Sequence, residues 1–117
     1  MISTLILLPY YERPKLVLHA LASIAEQNKT WPHWHLAFID DCSPTPGEPL
    51  VRAALGHCLD KITFLQTGCT LEEKRRRCGT TIGRFMNEAM LASTCDLGIM
   101  LCDDDELFPG YLANLSA

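Results

Sequence analysis

The residue pattern predicts an α/β domain whose mostly parallel sheet is covered on both faces, and three observations carry that prediction. Short β-leaning apolar runs alternate with stretches of helical periodicity along the whole chain. No repeat, low-complexity tract or linker interrupts the alternation, so its 117 residues suit one small domain. Residues of unusual chemistry gather where the apolar runs end, and in parallel sheets ligands bind outside the carboxyl ends of the strands.

Taken in order, residues 3–8 form a first strand, stopped by Pro9. Pro14 opens a helix in which Val17, Leu21, Ile24 and Asn28 share a face, proline being favourable in a first helical turn. Residues 34–39 are a second strand ending in Asp40-Asp41-Cys42-Ser43-Pro44. Residues 48–59 suit a short helix with Leu50, Val51, Ala54 and Leu55 inward, and 61–66 a third strand. The polar and basic stretch 67–81 reads as a long loop, a length that is usually functional or mobile. Helical periodicity resumes over 82–93, with Ile82, Phe85, Met86, Ala89 and Met90 on one stripe. A fourth strand over 97–102 runs into four acids, and Pro109 starts a last helix.

Bulk composition removes several function classes. A net charge of −4 argues against a nucleic-acid surface, which normally carries a basic excess. No apolar run approaches the roughly 20 residues that span a bilayer. The opening segment lacks a basic n-region and reads as a strand, not a signal peptide. A cytoplasmic location is therefore expected, with any membrane association left to a longer parent chain. None of the six cysteines forms a C-x-x-C pair, so they read as reduced thiols serving as small apolar side chains. His33 and His35 have no evident third ligand and read as surface residues. No nucleophile elbow, Walker-type loop or G-x-G-x-x-G is present.

Right-handed crossovers would bring three clusters to one edge: residues 9–13, Asp40-Asp41, and Asp103-Asp104-Asp105. Adjacent carboxylates repel and raise one another's pKa unless a cation or hydrogen-bond donors hold them. Oxygen ligands at a strand end suit magnesium or manganese, and magnesium typically uses one or two carboxylates plus substrate phosphates. The run Lys74-Arg75-Arg76-Arg77 has two readings, a solvated face or a guanidinium clamp for a base or phosphate. Arg84 and Asn87 read as helix anchors. A phosphoacceptor domain also places paired acids at strand ends, but it needs a further acid after the third strand, where this chain has Gln66-Thr67-Gly68.

Residues 7–14 (LLPYYERP), 21–27 (LASIAEQ), 34–43 (WHLAFIDDCS), 87–89 (NEA) and 101–112 (LCDDDELFPGYL) together resemble the family 2 glycosyltransferases. The resemblance implies a GT-A fold, Rossmann-like with three α/β/α layers, and places residues 1–117 as the nucleotide-sugar-binding half of that domain. It implies a metal-dependent enzyme that takes a nucleotide-diphosphate sugar, with a UDP-sugar expected, and transfers the sugar to a sugar, lipid or protein acceptor. At matching positions Pro9, Tyr11 and Glu12 would line the base, Asp41 would accept from its imide nitrogen, and Asp40 would support the turn. Arg75 or Arg76 would reach base or phosphates.

The family's common acids stand seven, five and four residues before the proline, which are Cys102, Asp104 and Asp105 here. Asp104 is accordingly expected to hold Mn2+ or Mg2+, with Asp103 as ribose or supporting partner and Asp105 as a further candidate. Two departures stand out: Glu12 replaces a frequent Asn, and the family's catalytic base belongs to a C-terminal half that no residue here matches. The alternative is a non-catalytic nucleotide- or metal-binding module, or an inactive fragment lacking the acceptor half. A domain cut at this point would leave its last sheet edge unpaired, a route to self-association.

Overall fold

The computed structural model of the chain describes residues 1–68, 70–76 and 80–117; the side chains of residues 71, 74, 75, 80 and 81 lie outside that description. Its elements in chain order are β1 (Thr4–Tyr10), α1 (Pro14–Gln27), β2 (Trp34–Asp40), α2 (Glu48–Leu55), a 3₁₀ turn (Gly56–Lys61), β3 (Ile62–Gln66), α3 (Leu71–Arg76), α4 (Thr80–Ala92), β4 (Leu97–Met100) and α5 (Tyr111–Leu115). The strands form one four-stranded sheet in the order β3-β2-β1-β4, and every pairing is parallel. The expected α/β class and parallel sheet are borne out.

Alternation along the strands sends the two faces to different layers. Ile6, Leu8 and Tyr10 of β1 and Leu36 and Phe38 of β2 pack with Val17, Leu21 and Ile24 of α1 and Val51 and Leu55 of α2. Tyr10 stacks on Phe38 with ring centroids 5.5 Å apart, and Phe38 meets the edge of Phe64 at 6.4 Å. On the other face Leu5, Leu7 and Ala37 pack with Met86 and Ala89 of α4. That layer is thinner: Met90, Leu91, Leu97 and Met100 stay exposed around the β4 edge. Among the described residues no helix is long and apolar enough to cross a membrane.

Four expectations are corrected. β1 does not stop at Pro9 but runs on to Tyr10. Pro9 shares its parity with Leu7, whose carbonyl accepts from Leu101 N on the β4 side, and β4 already ends opposite Leu7. The missing proline N–H thus falls where no strand asks for it. The 48–59 helix ends at Leu55, because Gly56 is a poor helix residue and Cys58 has non-helical angles (φ −127°).

The stretch 67–81 is not one loop. Thr70 Oγ1 accepts from Glu73 N at 3.1 Å, half of a capping box, and α3 begins at Leu71. Lastly, β4 ends at Met100 and α5 starts at Tyr111, after Gly110 (φ 75°) closes the Pro-Gly turn.

One buried side chain fixes the segment that leaves β4. Gln27, the last residue of α1, is fully buried; its Nε2 donates to the Phe108 carbonyl at 2.7 Å, and its Oε1 accepts from Leu112 N at 3.0 Å. Ser23 Oγ, one turn earlier, accepts from Leu107 N at 3.0 Å. Replacing Gln27 by Leu strands the buried Leu112 N–H and leaves the Phe108 carbonyl with Tyr111 N alone, and a loss of about 1–3 kcal/mol is expected in urea denaturation. A loss below about 0.5 kcal/mol would mean that the segment is held by other contacts.

Candidate functional site

The strand order reverses between β1 and β4: from β1 the chain builds toward β3 on one side, then returns to place β4 on the other. In open parallel sheets the crevice at such a point receives ligands. Here it is spanned by side chains. Asp103, just past β4, accepts from Tyr11 N at 3.3 Å, and the Arg13 guanidinium reaches Asp103 at 3.5 Å and Asp104 at 3.1 Å. The loops after β1 and β4 are thereby tied across the switch point.

The loop after β2 is organised by Asp40. Its buried carboxylate accepts from Ser43 N at 2.9 Å and Gly47 N at 2.8 Å. Gly47 must be glycine, since a Cβ there would lie 2.7 Å from a Phe38 ring carbon and 2.8 Å from one of Tyr10. Asp41, half-buried, accepts from the Thr67 hydroxyl at 3.0 Å, and its N–H donates to the Tyr10 carbonyl. Glu12 binds the β1 loop to the β2 loop: its N–H donates to Ser43 Oγ at 3.1 Å and its Oε1 accepts from Thr45 N at 3.2 Å.

Both strand-end loops carry left-handed residues, Glu12 (φ 50°) and Cys42 (φ 57°). Such a conformation costs about 1–2 kcal/mol for most side chains and is tolerated by Asn, which gives a backbone reason why Asn suits position 12. Strain of this kind collects at ligand sites.

After β4, the side-chain ligand atoms of Cys102, Asp104 and Asp105 lie within 4.8 Å of one another, the one such His/Cys/Asp/Glu group among the described residues. These are the positions seven, five and four before Pro109. Asp103, expected as a ribose or supporting partner, turns to Tyr11 and Arg13 and is buried. Burial pushes the Cys102 thiol up, and the charges of Asp105, Asp104 and Asp103 push it the same way. Burial likewise raises the Tyr10 phenol, followed by the charges of Asp40, Glu12 and Asp103.

Pro9, Tyr11, Glu12, Asp40, Asp41, Asp103, Asp104 and Asp105 therefore all stand at the carboxyl ends of the strands. Arg76 is exposed on α3, while the side chain of Arg75 lies outside the described residues. Sequence reasoning assigned no role to Arg13, Gly47 or Thr67. The first stood inside a motif read for its neighbours. The other two are common turn residues that only contacts distinguish.

The glycosyl transferase family 2 model matches residues 5–116. No curated protein sequence matches the chain. Among solved structures the chain is similar to S. aureus TarS 1-349, at 17% identity and a TM-score of 0.74, covering 98% of this chain and 31% of that one. The same protein in complex with UDP-GlcNAc matches at 16% identity and a TM-score of 0.71, over 98% of this chain and 30% of that one. The mannosyltransferase PcManGT from Pyrobaculum calidifontis, in complex with GDP-Man and Mn2+, matches at 19% identity and a TM-score of 0.67, over 97% of this chain and 31% of that one. The chain thus spans under a third of the length of these structures, and at such identities the likeness establishes the fold alone.

The two neighbouring acids of β2 separate by function in a stability experiment. Asp40→Asn replaces an acceptor of two N–H bonds with a group that must turn a donor toward one of them. The expected loss is about 1.5–3 kcal/mol by chemical denaturation. Asp41→Asn keeps an acceptor for Thr67 and is expected to cost less than about 1 kcal/mol. Equal losses would contradict the reading that Asp40, not Asp41, carries the turn after β2.

Proposed function

The chain belongs to glycosyl transferase family 2, and from that premise we propose that it forms the nucleotide-sugar-binding half of a GT-A domain in a metal-dependent glycosyltransferase. The observation that carries this reading is the convergence at the topological switch point. The acids after β2 and β4 and the loop after β1 meet at one edge, linked by Arg13 and Asp103.

The donor set after β4 fits a divalent cation. Asp104 and Asp105 offer hard carboxylate oxygens, which suit manganese or magnesium, while the raised thiol of Cys102 stands beside them. Asp104 and Asp105, five and four residues before Pro109, would hold the ion. When bound, it would neutralise charge on the diphosphate of the donor.

The remaining roles belong to the chain's own groups. The 9–12 segment, whose backbone is set by the Glu12–Ser43 and Glu12–Thr45 bonds, flanks the base. Asp41 accepts the base's imide N–H, held in place by the Thr67 hydroxyl. Asp40 keeps the turn rigid beneath it, and Asp103 fixes the β1 loop against the β4 loop. UDP is the first donor base to test, with GDP beside it, because structural neighbours are complexed with UDP-GlcNAc and with GDP-Man. None of the described residues is assigned the base that activates the acceptor hydroxyl.

Calorimetric titration of the chain with UDP, with and without Mn2+, tests the reading. Metal-dependent binding is expected, weakened by about tenfold or more in Asp104→Asn, since even outer partners of a metal site cost that much. Absence of binding by UDP, GDP and dTDP to a folded chain would overturn it.

A further inference from the structure

Resting on the donor-site reading above, we propose that Arg13 is a tethered counter-ion that occupies Asp104 in the empty site and leaves it for the diphosphate, so that metal and nucleotide bind cooperatively. Asp104 belongs to two groupings at once. One of its oxygens lies 3.1 Å from the Arg13 guanidinium, and the residue also joins Cys102 and Asp105 in the cluster spaced for a cation. A divalent ion in that cluster would face a guanidinium held by the same carboxylate. Two cations compete for one anion, and the metal alone binds at a penalty.

The surroundings favour a swing by Arg13 rather than a rearrangement of the acids. The Arg13 side chain is 51% exposed and Asp104 47%, whereas Asp103 is 11% exposed and is also held by Tyr11 N. Arg13 sits immediately before α1, whose first turn begins at Pro14, so its backbone stays put while its long side chain turns. A diphosphate at the switch point offers the guanidinium a bidentate partner at least as good as Asp104. Once Arg13 has moved, Asp104 is released to the metal. Linkage requires the effect to run both ways: metal raises nucleotide affinity by the factor with which nucleotide raises metal affinity.

The test is an electron paramagnetic resonance titration of the 117-residue chain with Mn2+, reading free aqueous Mn2+, first alone and then with saturating UDP. Arg13→Gln is expected to bind Mn2+ alone roughly three- to fivefold more tightly than the wild type, the scale of a half-exposed ion pair. In that variant UDP should raise Mn2+ affinity by a smaller factor than in the wild type. Arg13→Lys, which keeps the charge, should resemble the wild type with Mn2+ alone. Circular dichroism checks folding, and Arg13→Met, which keeps the aliphatic stem, serves if the Gln variant does not fold.

Unchanged or weaker Mn2+ binding by the neutral variants, with wild-type coupling to UDP intact, overturns the counter-ion role and leaves the donor site standing. Failure of the wild type to bind Mn2+ or UDP at all overturns the donor site, and this role with it.

Discussion

Crowding of negative charge at the carboxyl edge of the sheet is the constraint to which the rest of this structure answers. Glu12, Asp40, Asp41, Asp103, Asp104 and Asp105 are brought to one end of four parallel strands. Unopposed, they would repel and push the chain apart there. Each is met by a different device. Asp40 takes two backbone N–H groups, Asp41 a threonine hydroxyl, Glu12 another N–H, and Asp103 an N–H and a guanidinium. Asp104 meets the Arg13 guanidinium as well, and the exposed Asp104 and Asp105 lie with Cys102 in one cluster of ligand atoms.

That arrangement depends on packing some distance away. The core between the sheet and α1 and α2 sets the strand ends at one level, and the fit of Tyr10 and Phe38 against Gly47 brings the β2 turn down onto Asp40. At the other end of α1, Ser23 and Gln27 hold the backbone of residues 107–112, which returns the chain after the acids. One helix therefore contributes to both sides of the site, through Arg13 at its start and Gln27 at its finish. Burial supplies most of the stabilisation, while these few directional bonds decide where the acids point.

Much of this was legible in the residue order. Alternating periodicity predicts the parallel α/β sheet, and the unusual residues after each apolar run predict the site edge. The spacing before Pro109 marks positions 102, 104 and 105, which the structure groups. What was not legible has local physical causes. Pro9 reads as a strand stop because sequence does not reveal which side of β1 lacks a neighbour. The Thr70–Glu73 cap was hidden by the polarity of its surroundings, so α3 passed for loop. Four consecutive acids look equivalent in one dimension; the turn of Asp103 toward Tyr11 and Arg13 follows from what the β1 loop offers it. Arg13 had no periodicity or motif of its own, and its role appears only once the loops after β1 and β4 are seen side by side.

The central claim is that the edge at the β1/β4 switch point holds a metal-bridged nucleotide diphosphate. The most direct measurement is anomalous diffraction from crystals of the chain grown with UDP and Mn2+. The account predicts a manganese peak at the carboxylates of Asp104 and Asp105, with the diphosphate beside it and the base against residues 9–12 and Asp41. Manganese bound elsewhere, or a nucleotide seated away from the switch point, would contradict it.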